Sequence, residues 1–497
     1  MPRTSPHSAV DGPLRGVFRR GNAGDAGGKQ WRRRLSDMTL SDTVRTDPVP
    51  AGAAVADRAP VGASRPGPAP GSGATRVLVV GGGMAAARLV HQLAAAVGTA
   101  GPGSLTVTVL AEEPHPPYNR VLLAEVLAGR YPPQVIALPA PAAGVRWCGG
   151  VRAVRVDRVA RRVRCADGRE FGYDVLVLAT GANPVLPPLR GLFAPGGREL
   201  PDGVHPFRTL DDCAALAAAV RPGLPTVVVG GGLLGVSAAR ALAACGARVL
   251  LAHQGTHLME RHIDAEAGAL LRDHLTARGV EVHAECRVRG VLTRPTSGAA
   301  GPAGRRVHGV ELADGHRLDA DLTVLACGVR PRTGLARDAG LDVGAGIRVD
   351  GALRTSDPRI HAVGDCAEHH GTVYGLAGAA QEQADALARV LTGPRPATPA
   401  YTGTRALTRL TLAGRDALDL AAFGETAPRP GDDVVRLADA TRGTYRKVVV
   451  RGDRLVGGVL VGALGSVGTL ARAWEDAEPL PADDGPLLHL LTHDGGS

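Results

Sequence analysis

With 497 residues the chain is long enough for about three domains, and its 57 Lys and Arg against 48 Asp and Glu give a formal net charge of +9. Eleven of the basic and six of the acidic residues lie in 1–75, a segment rich in Pro, Gly and Arg, where we expect a disordered basic tail. The charge therefore does not indicate a nucleic-acid-binding protein, and no apolar run of about 18 residues predicts a membrane span. The seven cysteines form no C-x-x-C pair, which argues against a disulfide scaffold or a locally encoded metal site and favours a reduced, cytoplasmic protein.

The first predicted element after the tail is a strand, a glycine-rich turn and a helix. Val77–Val80 is a short apolar run, and Gly81, Gly83 and Ala86 follow it in a G-x-G-x-x-A pattern. This order is typical of a dinucleotide-binding turn, in which the first glycine permits the tight turn and the second lets the backbone approach a pyrophosphate. The first amides of the helix would then face the phosphates. These amides belong to Met84 and Ala85, which are therefore also part of the predicted site.

The next predicted strand is Leu105–Leu110, in which apolar and polar residues alternate. It is followed by Glu112 and Glu113, and a carboxylate at this place can accept two hydrogen bonds from a ribose diol. We therefore count both as candidate nucleotide-binding residues; a solvated acidic turn is the alternative.

The chain then repeats the first pattern. Residues 226–246 form a second strand, turn and helix, with glycine at all three positions of the fingerprint. The corresponding residues of this second turn and its helix are Gly230, Gly232, Gly235, Leu233 and Leu234. A later pair of strands, 174–184 and 321–331, also shares residues at the same offsets. One such unit could bind many ligands, but two in one chain predict two dinucleotides brought face to face.

Three segments resemble a known family. Residues 111–129, AEEPHPPYNRVLLAEVLAG, look like part of the flavin domain in the large subunit of NAD(P)H-dependent assimilatory nitrite reductase, and rubredoxin and ferredoxin reductases share their general form. Residues 253–271, HQGTHLMERHIDAEAGALL, closely resemble that subunit again, so we do not interpret their histidines as metal ligands. Residues 355–365, TSDPRIHAVGD, resemble the flavin-binding signature that returns after the second unit.

The resemblance assigns roles to individual residues. It implies that Arg120 lies near the pyrophosphate of a flavin, and that Thr180 and Gly181 lie where the chain leaves the flavin domain. It also implies that Asp365, after Gly364, hydrogen-bonds the ribityl chain. In the second unit, His253 lies where the first has Glu112, and Gly328 lies where the first has Gly181. We count both as candidate nicotinamide-nucleotide ligands.

These features predict an α/β fold with two Rossmann-like dinucleotide-binding domains, the second inserted in the first, and a small mixed α/β domain at the C-terminus. In that last domain, residues 445–461 predict a hairpin that turns at Gly452-Asp453. The expected segments are a tail (1–75), two parts of an FAD-binding domain (76–198 and 323–395), an NAD(P)H-binding domain (199–322), the C-terminal domain (396–475) and a second tail (476–497).

The resemblance implies FAD as the cofactor, hydride transfer from NAD(P)H to it, and delivery of electrons to a separate redox acceptor protein. Nitrite or nitrate reductase, in nitrite or nitrate assimilation, or a small iron–sulfur protein is the expected acceptor. Hydride transfer needs no general acid or base, so we name no catalytic residue. A rubredoxin- or ferredoxin-type reductase and a flavin-based redox sensor or docking protein are the alternatives, and a homodimer is left open. For the C-terminal domain, a docking surface and a structural cap both remain open.

Related cysteine chemistries are not expected. Disulfide reductases need a cysteine pair just after the first helix, and peroxide-reducing relatives need one in the loop after the second strand; neither is present. Cys366, next to Asp365, is the only cysteine predicted near the flavin, and we interpret it as a packing residue.

The choice between NADH and NADPH depends on the second unit. Ala252, His253 and Gln254 lie where the first unit has Ala111 and its two glutamates, so no carboxylate is predicted for a 2′-hydroxyl and no adjacent arginine for a 2′-phosphate. Because the family's electron donors include NADH, we favour NADH, with NADPH as the alternative.

Overall fold

The computed structural model describes residues 73–94, 105–141, 143–296, 304–393, 401–414, 417–462, 464–477 and 479–480. The expected tails 1–75 and 476–497 therefore lie almost wholly outside the described residues. The described helices, α1 to α8 in chain order, are Met84–Leu93, Leu123–Leu127, Leu210–Ala219, Leu233–Ala244, Ala265–Thr276, Gly334–Asp338, Ala377–Thr392 and Val467–Asp476. Among the described residues, no helix has both the length and the apolar character that crossing a membrane requires.

The described strands are numbered β1 to β25 in chain order. The first eight are Thr75–Val80, Leu105–Leu110, Arg146–Cys148, Ala153–Asp157, Arg162–Cys165, Glu170–Gly172, Val175–Leu178 and Ala182–Pro184. β9 to β17 are Val204–Pro206, Pro225–Val229, Arg248–Ala252, Val280–His283, Val288–Thr296, Gly304–Leu312, Arg317–Asp319, Leu322–Leu325 and Val329–Pro331. β18 to β25 are Ile347–Val349, Ile360–Ala362, Ala367–His369, Leu407–Leu412, Leu418–Gly424, Asp433–Asp439, Thr444–Arg451 and Arg454–Val461.

The first large sheet is parallel throughout and has the strand order β19-β7-β1-β2-β3. Its central strand β1 contains the apolar run of the first prediction, and Val77, Leu78 and Val79 are at most 1% exposed. A nearly continuous apolar run is what a parallel strand covered on both faces requires. Helices α1 and α7 and the small antiparallel sheet β4-β5-β6 share its apolar core. β2 pairs with β1 over all six residues, so the predicted second strand is confirmed.

The second large sheet is also parallel, with the order β12-β11-β10-β16-β9. One expected boundary needs correction here. The predicted boundary separates residue 322 from residue 323. Both lie in β16, which pairs in register with Thr226–Val229 of β10. The pairing partner is about a hundred residues away in the chain, so the local sequence does not indicate where this strand belongs.

The two sheets are connected through the repeated strands. The chain leaves the first sheet after β7, passes through all five strands of the second sheet, and returns to the first at β19. At the crossing, β8 pairs antiparallel with β17, so that Ala182 lies opposite Pro331 and Pro184 opposite Val329. The ends of the two repeated segments thus contact each other directly.

The C-terminal residues form a five-stranded antiparallel sheet, β21-β22-β25-β24-β23, with α8 packed on one side. β24 and β25 form a hairpin around Gly452, whose φ is +61°, which confirms the predicted turn. Side chains of the sheet, including Tyr445 and Val459, share an apolar core with α2, α4 and α5. Lys447 is 3% exposed, and its Nζ lies 2.7 Å from Asp264 Oδ2 at the start of α5.

A buried ion pair adds to this attachment. Arg240 of α4 is 4% exposed and lies 2.5 Å from Glu125 of α2, which belongs to the first half of the chain. Its other terminal nitrogen donates to the carbonyl of Ala413, after β21, at 2.9 Å. Arg240, on helix α4 beside the second large sheet, therefore contacts both α2 and the residues that follow the first strand of the C-terminal sheet.

Candidate functional site

The first glycine turn has the backbone that its predicted role requires. Gly81 has φ +119°, and an added Cβ would lie 2.1 Å from the carbonyl oxygen of Ala179, so no other residue fits. Gly83 is different: an added Cβ would meet no atom within 4 Å, and the space in front of the turn is open. α1 begins directly afterwards at Met84, and no side chain caps its first amides. Open space and free amides at a helix start are what a phosphate group needs.

The second glycine turn repeats this geometry. Gly230 has φ +111°, and its Cβ would lie 2.4 Å from the carbonyl oxygen of Ala326. An added Cβ at Gly232 again meets nothing within 4 Å, and α4 starts at Leu233 without a side-chain cap. Gly235 allows the helix to approach the strand, because its Cβ would lie 1.7 Å from the oxygen of Gly230. In the first unit, fully buried Ala86 takes that place.

The ends of the two repeated strands lie beside these turns. Gly181 and Gly328 both have positive φ, +68° and +99°, and both face open space. Thr180 Oγ1 donates to the carbonyl of Arg332 at 2.8 Å, and the amide of Arg332 donates to the carbonyl of Gly181 at 2.9 Å. The segment that follows the second repeat is thereby fixed to the loop that follows the first.

The two candidate ribose carboxylates at the end of β2 are both paired. Glu112 lies 2.6 Å from a terminal nitrogen of Arg332 and is about half exposed. Glu113 accepts hydrogen bonds from the Tyr118 hydroxyl, at 2.6 Å, and from Arg120. Burial of Tyr118 and this carboxylate raise the pKa of its phenol, so the hydroxyl stays protonated and can donate.

Arg120, predicted near a pyrophosphate, lies in this cluster. Its guanidinium contacts Glu113 and the Tyr118 hydroxyl, and it donates to the carbonyl of Arg208 at 3.2 Å. Its side chain is 23% exposed, so one side of it remains accessible. The structure thus brings Arg120 and Glu113 together beside the linker that leads into the second unit.

Asp365 lies at the carboxyl end of β19 and pairs with Arg208 at 2.5 Å, each side chain being 17% exposed. The preceding Gly364 has φ +79°, and an added Cβ would lie 3.1 Å from the Cβ of Ala85 in the first turn of α1. Its amide donates to the buried side chain of Gln383 at 2.7 Å. The structure therefore places the loop that follows β19 against the start of α1.

Sequence reasoning missed two arginines of this region, Arg208 and Arg332. Arg208 directly precedes Thr209, whose side chain and that of Asp212 form a capping box at the start of α3. The capping pattern T-x-x-D was visible in the sequence. What was not visible is the partner of the arginine, because Asp365 lies 157 residues further along the chain.

In the second unit, His253 follows β11 and lies under the glycine turn. The amide of Gly231 donates to its Nδ1 at 3.2 Å. Burial lowers the pKa of its imidazole, so the ring is neutral, and Nε2 is a buried atom without a hydrogen-bond partner among the described residues. Glu260 Oε1 lies 4.0 Å from that atom. The sequence interpretation did not include Glu260.

The residues present fit one dinucleotide at each turn: glycine backbones that leave room, uncapped helix starts, and polar side chains at the strand ends. Cys366 beside Asp365 is fully buried, with Sγ 3.3 Å from the carbonyl of Leu178, and burial raises the pKa of its thiol, as expected for a packing residue. Within the described ranges, no group of His, Cys, Asp and Glu could hold a metal ion.

Comparisons with known proteins agree with this geometry. Residues 75–384 match the model of the family described as pyridine nucleotide-disulphide oxidoreductase. Nitrite reductase (NAD(P)H) of Bacillus subtilis (strain 168) is 34% identical over 394 residues, 78% of this chain and 46% of the relative. The assimilatory nitrate reductase electron transfer subunit of the same organism is 32% identical over 391 residues, 78% of this chain and 47% of the relative. The chain thus spans about half the length of these relatives.

Two solved structures have a similar fold. A ferredoxin reductase from Rhodopseudomonas palustris has a TM-score of 0.65 and 27% identity, and the match covers 78% of this chain and 91% of that chain. The putidaredoxin reductase–putidaredoxin complex has a TM-score of 0.70 over 85% of this chain and 99% of that chain. At 24% identity, this second likeness concerns the fold alone.

Proposed function

Because the chain belongs to the pyridine nucleotide-disulphide oxidoreductase family, we propose that it takes a hydride from NAD(P)H onto bound FAD and passes the electrons to a separate acceptor protein. The observation that carries this proposal is the pair of glycine turns. Each has an open second glycine and an uncapped helix start, and β8 and β17 connect the strands beside them. Two dinucleotide sites joined in this way suit transfer between two nucleotides.

In this proposal the first turn holds FAD. The amides of Met84 and Ala85 bind the pyrophosphate together with Arg120, while Glu112 or Glu113 binds a ribose and Asp365 the ribityl chain. Each of these three carboxylates has an arginine partner, which fixes its direction. Bound flavin would supply the two-electron acceptor chemistry.

The second turn holds the nicotinamide nucleotide. The amides of Leu233 and Leu234 face its phosphates, Gly232 leaves room for them, and His253 lies by the adenosine ribose. Gly181 and Gly328 carry the backbone past the two nucleotides without side chains in the way. The protein aligns donor and acceptor and keeps water out, and it needs no acid or base for the transfer.

The acceptor is proposed from the names of the relatives. One is an assimilatory nitrate reductase electron transfer subunit, another is a nitrite reductase, and a ferredoxin reductase is among the solved neighbours. We therefore propose nitrate or nitrite assimilation as the pathway, with a nitrite or nitrate reductase protein or a small iron–sulfur protein as the acceptor.

The test begins with the purified protein. We expect a yellow protein that releases FAD on denaturation and whose visible absorbance is bleached by NADH without oxygen. Steady turnover with ferricyanide separates a reductase from a flavin sensor, which would be reduced but turn over poorly. Mixing the reduced protein with a ferredoxin and with a nitrite reductase metal domain then compares the acceptors. A colourless protein that also refuses added FAD would contradict the proposal.

A further inference from the structure

The carboxyl end of β11 lacks the carboxylate that its counterpart β2 has. Where the first unit has Glu112 and Glu113, the second has His253 and Gln254. A ribose diol normally meets an acidic residue at this position of a dinucleotide-binding unit. In the structure, the carboxylate of Glu260, seven residues after His253, lies at this end of β11.

Residues 255–263 fold back onto the second glycine turn. The amide of Met259 donates to the carbonyl of Gly231 at 2.9 Å, and Leu258 lies so close that a Cβ on Gly231 would be 2.7 Å from its Cδ2. Met259 has φ +54°, a left-handed conformation that residues other than glycine rarely adopt. This backbone directs the next residue, Glu260, toward the end of β11.

The Glu260 carboxylate is held in place and is still accessible. Its Oε2 accepts a hydrogen bond from the amide of Thr256 at 3.2 Å. It lies over Gly255, where a Cβ would be only 2.0 Å from Oε2, so a larger residue there would displace the carboxylate. The side chain is 36% exposed, and Oε1 lies 4.0 Å from His253 Nε2.

His253 brings no charge to this place. Because its Nδ1 accepts from the Gly231 amide, the proton of the neutral ring is on Nε2. Nε2 is buried and lies 4.0 Å from Glu260 Oε1, so the ring places a neutral group beside the carboxylate. A neutral imidazole does not offset the charge of a phosphate.

We infer that Glu260 makes the second nucleotide site selective for NADH over NADPH, with His253 as its neutral partner. The carboxylate would accept hydrogen bonds from the 2′- and 3′-hydroxyls of the adenosine ribose. A 2′-phosphate would bring about two further negative charges to the same place and be repelled. The inference rests on the proposed function of this site, and it names the coenzyme.

Arg261 is the residue that could favour NADPH instead, by attracting its 2′-phosphate. It follows Glu260 directly and is exposed, so it is the nearest cation in the sequence for a 2′-phosphate. A variant of each residue distinguishes the two.

The experiment compares the flavin-loaded wild type with Glu260→Gln. The amide oxygen of glutamine can still accept from Thr256, so the turn is kept while the charge is removed. We expect the wild type to prefer NADH, and the ratio of kcat/KM for NADPH over that for NADH to rise at least tenfold in the variant, mainly through KM for NADPH. Arg261→Gln should leave the ratio within twofold. So should the matched control Glu266→Gln, which removes an exposed carboxylate of α5 that pairs with Arg436 at 3.2 Å.

A binding measurement makes the result independent of turnover. Calorimetric titration with ADP-ribose and with 2′-phospho-ADP-ribose should show that only the second ligand binds more tightly to Glu260→Gln. If neither coenzyme reduces the flavin, the proposed function fails, yet this titration still tests Glu260. A wild type that prefers NADPH, a ratio unchanged by Glu260→Gln, or a ratio that falls in Arg261→Gln would overturn the inference.

Discussion

The two glycine turns share one backbone and differ in what surrounds them. In each, the first glycine lies against an alanine carbonyl and the second faces open space. At the strand ends, however, the first unit has carboxylates paired with arginines, whereas the second has a neutral histidine and the single carboxylate of Glu260. We infer from this that the turn supplies phosphate binding to both units, and that side chains at the strand ends decide which nucleotide each takes.

The largest expected effect separates the two turns directly. Gly83 and Gly232 have φ −84° and −80°, which any residue can adopt, and both face open space. Valine at either place should therefore leave the fold intact and fill the room for a phosphate. We expect Gly83→Val to lose FAD, and Gly232→Val to keep FAD while KM for NADH rises more than about a hundredfold.

Flavin absorbance after gel filtration and NADH reduction kinetics measure the two effects. The variants serve as each other's control. If Gly232→Val rather than Gly83→Val released the flavin, the assignment of the two nucleotides would be reversed.

A second prediction concerns the sheet that packs on the second unit. Lys447 is buried, and its ammonium pairs with Asp264, which also accepts from the Tyr445 hydroxyl and the Ala267 amide. Burial opposes ionisation of Asp264, but these hydrogen bonds outweigh it, so the pKa of that carboxyl lies below its usual value. Lys447→Met should lower the free energy of unfolding by about 3 kcal/mol, because the aspartate loses its buried cation.

Urea denaturation measures this loss. Arg436→Gln is the matched control, because its ion pair with Glu266 is more than half exposed on both sides and should contribute less than about 1 kcal/mol. Equal midpoints for the two variants would show that the buried pair does not hold the sheet. The same attachment bears on the C-terminal domain. Removing residues 397–497 would uncover apolar side chains of α2 and α5 that pack against it, such as Leu123 and Leu271, so point variants are the better test of its role.

The two large sheets each have a histidine on an edge strand, and the two histidines differ in burial. β19 contains His361 and β9 contains His205, each in the middle of a three-residue strand. Burial lowers the pKa of His361 to about 4 and also lowers the pKa of His205. Between pH 6.5 and 4 the unfolded chain therefore binds more protons than the folded one at His361.

Stability should consequently fall as the pH drops through that window. For His361 the loss between pH 8 and pH 5 is about 2 kcal/mol, and it should be absent from His361→Gln. Urea midpoints at a series of pH values measure the slope. His205→Gln, at the less buried strand, should flatten it less; the reverse order would contradict the comparison.

Features set by neighbouring residues could be predicted from the sequence, whereas contacts between distant residues could not. The strands β1 and β2, both glycine turns and the C-terminal hairpin follow from neighbouring residues, such as an apolar run next to Gly81 or the Gly452-Asp453 pair. The family resemblance, which the family match confirms, extended the interpretation to Asp365. Local signals fail where a partner is distant: Arg332 pairs with Glu112 across 220 residues, and Glu260 reaches β11 only because the backbone reverses at Met259.

The smallest expected effect concerns the carboxylate of Asp365. Asp365→Asn keeps the shape of the side chain and removes its charge, so FAD affinity should fall about tenfold, or roughly 1.4 kcal/mol. Asp174→Asn, in the more exposed pair with Arg76, should leave FAD affinity unchanged. Because Asp365 pairs with Arg208, its charge could act on the flavin directly or only by holding Arg208 in place. If Asp365 binds the flavin itself, the tenfold loss should persist in an Arg208→Met background; if it acts only by holding Arg208, the loss should disappear there. Fluorescence titration of the four proteins with FAD completes this double-mutant cycle.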